Sequence, residues 1–276
     1  MICVLGAMLL APGPVSRASS DRADPPQVVP PAVIQVTDLY RPYADPDDHW
    51  DLASVYALAL RKEINLTGVV IDFPPERTPA LNPDLIAIAQ MNHITGLSVP
   101  VATGTPHKLT SATDTQPDAS PSDLAGVRLI IDVLRFSATP VVINILGSSR
   151  DVVIAGNREP ALFAKKCAAI YLNAGAGTHT KALLNGRKEY NVRLDEAGYA
   201  AVFNLPCPVY WLPCFEDDSR VNGQRPVKPY GSYYKFLHQD VLPTLSSRVQ
   251  NYFTYMYRKT PGPYWLTALS DQADQA

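Results

Sequence analysis

Residues 33–71 read VIQVTDLYRPYADPDDHWDLASVYALALRKEINLTGVVI, and their rhythm decides the fold. Val33 to Thr37 is a short apolar run that ends at Asp38, Leu52 to Leu60 is helix-like, and Leu66 to Ile71 is a second apolar run rich in branched residues. A strand, a loop, a helix and a strand in that order form a βαβ unit. The same alternation continues toward the C-terminus. It predicts helix Asp84 to Ile94 with Asn82 or Asp84 near its N-cap, strand Val99 to Ala102 and helix Ser122 to Arg135. Strand Val141 to Leu146 follows, apolar except for Asn144, as suits a strand covered on both faces. Helix Glu159 to Lys166, strand Ala169 to Leu172, helix Glu196 to Phe203, strand Val209 to Leu212 and helix Ser247 to Tyr257 complete the series. The expected fold class is therefore α/β, a mostly parallel sheet flanked by helices, in a single domain without internal repeats. In such sheets ligands collect at the carboxyl ends of the strands, so the residues just after Thr37, Ile71, Leu146, Leu172 and Leu212 are where chemistry is sought.

Composition agrees with one well-filled domain: of 276 residues, 46% are hydrophobic and 18% charged. The 24 basic and 26 acidic residues leave a net charge of -2 with no Lys/Arg run, which argues against a nucleic-acid partner. The apolar Ile2 to Ala11, too short to span a bilayer and followed by small residues, predicts a secretory signal over residues 1–20. It lacks a basic leading segment. Residues 21–32 then form a proline-rich linker, residues 33–276 form the domain, and the mature protein is expected to be secreted or periplasmic, with no membrane span. Cys3 lies in the expected signal; Cys207 and Cys214 flank an extended run too long to bridge, so Cys167, Cys207 and Cys214 are expected as free thiols with no zinc spacing.

Between the first strand and the first helix the chain carries five carboxylates: Asp38, Asp45, Asp47, Asp48 and Asp51. Converging carboxylates raise one another's pKa unless a cation lies among them, and oxygen ligands of this kind suit Ca²⁺ or Mg²⁺. The bland alternative is a solvated loop in which Asp47 or Asp48 caps the next helix.

The Thr37-Asp38 step followed by Pro46-Asp47-Asp48 resembles the N-terminal metal signature of the inosine-uridine preferring nucleoside hydrolase superfamily, an Asp-x-Asp-Pro-Gly-x-Asp-Asp loop. Val36 stands where that pattern has its first acid, and the loop here is longer. Lys188-Glu189-Tyr190-Asn191 through Asp195-Glu196-Ala197 is similar to the superfamily's Glu-Phe-Asn-x-x-x-Asp-Pro-Glu-Ala segment. Leu146-Gly-Ser-Ser-Arg150-Asp151 is similar to its Gly-Pro-Leu-Thr-Asn segment, and Val99-Pro-Val-Ala-Thr-Gly104 to its Pro-Val-x-x-Gly strand end. Ser270-Asp271 falls where its C-terminal His-Asp pair stands, unless the chain stops short of that motif.

The resemblance implies a Rossmann-like nucleoside hydrolase fold and a Ca²⁺-dependent hydrolase that cleaves the N-glycosidic bond of nucleosides or related ribosides by water attack. It implies calcium held by Asp38 and Asp48, by the main-chain oxygen of Arg150 and by Asp271. Asp47 is then the base, with Asp38 also in the catalytic group; Glu189 and Asn191 bind the sugar hydroxyls, and His49 contacts substrate. Trp211, Tyr233, Tyr234 and Trp265 are candidates for stacking on base or sugar, although aromatic residues are more often core. Two rivals are a non-catalytic sugar- or nucleoside-binding protein with a degenerate site, and a haloacid dehalogenase-type phosphohydrolase. The latter needs a second Asp where this chain has Tyr40. A homo-oligomer is compatible with every reading.

Overall fold

The computed structural model describes residues 29–41, 47–74, 81–176, 188–214 and 236–258, of which residues 257 and 258 are described for their backbone alone. Eight strands and nine helices run through these segments: β1 (Ala32–Thr37), β2 (Tyr40–Arg41), α1 (Asp47–Leu60), β3 (Asn65–Ile71), β4 (Asn82–Pro83), α2 (Leu85–Thr95), β5 (Val101–Thr103), α3 (Ala125–Phe136), β6 (Val141–Leu146), α4 (Arg150–Arg158), α5 (Pro160–Lys166), β7 (Cys167–Asn173), α6 (Tyr190–Leu194), α7 (Glu196–Ala201), β8 (Val209–Leu212), α8 (His238–Val241) and α9 (Ser247–Arg258).

Six strands form one sheet in the order β5-β3-β1-β6-β7-β8, and every neighbouring pair is parallel. β2 and β4 make a separate two-residue antiparallel ladder. Helices cover both faces. On one face Ile34, Val36, Ile143 and Ile145 pack with Val127, Ile130 and Leu134 of α3, Val152 to Ala155 of α4 and Phe163 of α5. On the other, Val69 and Ile71 of β3 pack with Leu52 and Tyr56 of α1, Ile88 and Met91 of α2, and Tyr252 and Phe253 of α9. This double cover explains why all six residues of β1 are buried. The two polar residues of the central strands answer each other: Gln35 and Asn144 are register partners, and Asn144 Nδ2 donates to Gln35 Oε1 at 2.8 Å.

The expected strands and long helices are all present, and the differences that bear on the site are at α1, α4 and α6. α1 begins at Asp47, five residues before the apolar run, so Asp47, Asp48 and Asp51 belong to a helix and Asp38 to the connection, while Asp45 lies outside the described residues. Carboxylates in a first turn meet the positive end of the helix dipole, which lets the helix start among them. α4 was not anticipated: its apolar run, Val152 to Gly156, is only five residues long, too short to be told from a strand, and Arg150 to Gly156 are all buried. The five-residue α6 is likewise too short to show a period. The expected signal over residues 1–20, most of the linker, Tyr233, Tyr234, Trp265 and Ser270-Asp271 lie outside the described residues. Among the described residues no helix is long and apolar enough to cross a membrane.

Candidate functional site at the carboxyl ends of the strands

β1 delivers Asp38 one residue past its end, and α1 starts close by because Thr37 Oγ1 donates to Asp48 Oδ1 at 3.0 Å. The Asp38 and Asp48 carboxyl groups are themselves hydrogen-bonding neighbours. Burial pushes the Asp48 pKa well up, and the charges of Asp38 and Asp47 push it further in the same direction. Two carboxyl groups this close do not both ionise without compensation; they share a proton or a cation. Asp47, at the first position of α1, is exposed, and its Oδ1 accepts the Asp48 N–H at 2.9 Å.

β3 delivers Asp72, a residue the sequence motifs did not single out although the strand-end rule points at its position. It is 1% exposed. Its Oδ2 takes the Ser148 N–H and its Oδ1 the Ser148 hydroxyl at 3.2 Å. Burial raises its pKa well above the carboxylate range, against the nearby Arg150 guanidinium. Gly147 makes this approach feasible: a Cβ there would stand 2.5 Å from Asp72 Oδ2 and 2.8 Å from the Asp38 nitrogen.

Arg150, expected to lend its main-chain oxygen to a metal, opens α4, and that oxygen lies in the first turn of the helix. Its guanidinium is buried and fully engaged: Nε with Asp195 Oδ2 at 3.2 Å, Nη1 with the Thr105 carbonyl at 2.6 Å and Nη2 with the Leu194 carbonyl at 3.0 Å. Asp195 also accepts the Leu109 and Gly198 N–H groups, each at 2.8 Å. One ion pair thus ties the loop after β5, the start of α4 and the α6–α7 junction. Asp151 beside it accepts the Thr105 N–H at 3.1 Å, and burial raises its pKa to about 6.

The segment from Glu189 to Asp195 is brought against the acidic pair, 150 positions away in sequence. Tyr190 reports the proximity: its hydroxyl is pushed up to about 12 by burial and then by Asp38, with Asp48 and Asp72 adding to it. Asn191 Nδ2 donates to the carbonyls of Asn173 at 3.0 Å and Leu146 at 3.3 Å, which places this amide across the ends of β6 and β7. Glu189 is the N-cap of α6. Its Oε1 accepts the Asn191 N–H at 2.9 Å, and its Oε2 accepts those of Gly175 at 2.8 Å and Val192 at 3.1 Å. The Cys214 thiol bonds to the same carboxylate. A carboxylate offers about four acceptor positions, so the chain itself engages Glu189 fully, and its structural task is one the motif did not announce.

His49 is turned inward. It is 2% exposed, with Nε2 3.9 Å from Asp84 Oδ2 and its ring 5.6 Å from that of Tyr252. Trp211 donates from Nε1 to the Ala174 carbonyl at 2.6 Å and is 43% exposed beside the end of β7. Among the described residues no three His, Cys, Asp or Glu side chains are grouped to hold a metal; the Asp38–Asp48 pair is what the fold assembles.

Among solved structures, the chain is similar to nucleoside hydrolases. A plant nucleoside hydrolase matches at 18% identity and a TM-score of 0.46, over 67% of this chain and 60% of its own. The type III effector protein XopQ, solved in complex with adenosine diphosphate ribose, matches at 21% identity and a TM-score of 0.49, over 68% and 59%. The inosine-uridine preferring nucleoside hydrolase from Bacillus anthracis matches at 14% identity and a TM-score of 0.48, over 87% and 80%. The match spans less than two thirds of the plant enzyme and of XopQ. No protein-family model and no curated protein matches the chain. At this level of likeness the activity has to be argued from the residues.

Proposed function

We propose that this chain belongs to the nucleoside hydrolase superfamily and is a Ca²⁺-dependent hydrolase of the N-glycosidic bond in nucleosides or related ribosides. One observation carries the reading: the two sequence motifs that resemble that superfamily, Asp38 with Asp47-Asp48 and the Glu189–Asp195 segment, meet at the carboxyl ends of β1, β6 and β7. The donor chemistry fits a hard cation. Asp38 and Asp48 offer oxygen ligands whose mutual repulsion a divalent ion relieves, and the buried part of the site excludes competing solvent. The pair supplies part of a calcium shell; Asp271 is the remaining candidate ligand.

Asp38 and Asp48 would hold the calcium, which would supply positive charge that makes a nearby water more acidic and screens the carboxylates. Asp47, exposed at the head of α1, takes a proton from the attacking water, whose oxygen bonds to the anomeric carbon as the carbon–nitrogen bond breaks with its electron pair leaving on the base. Asn191, its amide nitrogen held by two strand-end carbonyls, presents its oxygen to the sugar hydroxyls. Tyr190 is the neighbouring hydroxyl within reach of the acidic pair.

A nucleoside-binding protein without turnover is the second reading, favoured by the way Glu189 is engaged by three main-chain amides and Cys214. Reducing-sugar release from a nucleoside panel, with and without Ca²⁺, separates the two. Calcium-dependent release that is lost in Asp48→Asn is the expected result. Nucleoside binding without release selects the second reading; the absence of both overturns the proposal.

A further inference from the structure

Cys167 opens β7, and Cys207 stands two residues before β8. These strands are parallel neighbours in which Ile170 pairs with Val209 and the Ile170 N–H donates to the Pro208 carbonyl at 2.8 Å. Continuing that register backwards sets Cys207 opposite Ala168, one position along from Cys167, so the two cysteines are diagonal neighbours at the amino ends of the strands. Adjacent strands lie about 4.8 Å apart and one residue rises about 3.3 Å, so a diagonal pair stands about 5.8 Å apart, inside the Cα separation a disulfide spans. Their side chains share one face: Cys167 is 6% exposed within the core cluster of Ile170 and Leu172, and Cys207 and Val209 pack partly buried against that cluster. The two thiols are close enough to shift each other's ionisation, and the Cys167 Sγ also donates to the Ala169 carbonyl at 3.7 Å. Cys214, beyond the far end of β8, instead meets Glu189 and Asn173, so it does not compete.

We propose that Cys167 and Cys207 form a disulfide that pins the edge strand β8 to β7, with a small-molecule disulfide of the glutathione class as oxidant. The half-exposed Cys207 reacts first, since the neighbouring Cys167 thiol lowers its pKa while Cys207 and burial hold the Cys167 thiol up. The Cys207 thiolate attacks one sulfur of the oxidant and expels a glutathione thiolate. The Cys167 sulfur, losing its proton, then attacks the Cys207 sulfur of the mixed disulfide and expels the second. Two protein S–H bonds are replaced by one S–S bond, and the two electrons and two protons leave as two glutathione thiols. The bridge closes a loop of forty positions that contains Glu189, Asn191 and Asp195, yet it lies at the end of the sheet opposite the acidic pair. It therefore stabilises the segment without touching the site.

The full chain is equilibrated in glutathione and glutathione disulfide mixtures, alkylated, digested and mapped by mass. The expected result is a linked peptide pair containing Cys167 and Cys207, and a melting temperature roughly ten degrees above that of the reduced chain. Cys207→Ser, at a partly exposed position, folds and loses both the linkage and the rise. Cys167 and Cys207 that both alkylate under excess glutathione disulfide, a Cys207–Cys214 linkage in their place, or a linked pair with no rise in melting temperature each overturn the proposal.

Discussion

Replacing Arg150 by Met removes a guanidinium that makes three buried contacts while keeping much of the side chain's volume. Asp195 loses its ion-pair partner at a site with no solvent access, and the Thr105 and Leu194 carbonyls lose their donors. Removing one member of a buried pair costs about 3 to 5 kcal/mol, because the remaining charge stays desolvated. Against a total stability of about 5 to 15 kcal/mol for a domain, that loss is large. Urea titration should show the midpoint falling with an unchanged slope. Arg150→Lys, which supplies one point donor where a fork served three acceptors, should fall between the parent and Arg150→Met. In a double-mutant cycle with Asp195→Asn the two costs should be non-additive by about 1 to 3 kcal/mol. An Arg150→Met loss below about 1 kcal/mol, typical of an exposed pair, or strict additivity in the cycle, would refute the account of this ion pair as the tie between three loops.

Gly147→Ala should cost stability and disturb the site together, since its Cβ meets Asp72 Oδ2 and the Asp38 nitrogen; an unchanged melting temperature with unaltered calcium response would show that the strand ends yield freely. Asp51, raised by burial to about 6 from 3.8, makes the folded state hold a proton that the unfolded chain has released. Stability therefore falls as pH rises from about 4 to 6 and stays lowered above that; Asp51→Asn should gain on the parent across this window in thermal melts, and a constant gap at pH 4 and pH 7 would count against it. Asp84→Ala removes the acceptor for the Ile86 and Ala87 N–H groups at the head of α2 and should cost about 1 kcal/mol or more, measured by chemical denaturation. Asn191→Ala should reduce turnover by roughly a hundredfold or more if its oxygen serves a cationic transition state, a kinetic loss to be compared with its effect on melting.

Periodicity was enough to read the alternation of strands and helices and the parallel sheet, because a doubly covered strand must be apolar throughout and its ends must turn polar. Val141 to Leu146 and Val33 to Thr37 needed nothing else. Local pattern also carried Asp38 and Asp48 as candidates, since carboxylates packed after a strand stand out in one dimension, while Asn191 came from the resemblance of its segment to that of the nucleoside hydrolases. It failed at α4, whose five-residue apolar run is too short to be told from a strand, and at the start of α1, where the helix begins in charged residues before any apolar face exists. What each side chain does was settled by long-range packing. Asp72 reaches Ser148 across 76 positions, Arg150 reaches Asp195 across 45, and Glu189 reaches Gly175 across 14. His49 looked like a substrate contact because it follows two aspartates, yet the helix turn points it at Asp84 and Tyr252. Sequence spacing orders residues along the chain, while hydrogen bonds and desolvation act over a few ångströms in space. Only the crossing of β1, β3, β6 and β7 in one sheet decides which polar groups stand within that range.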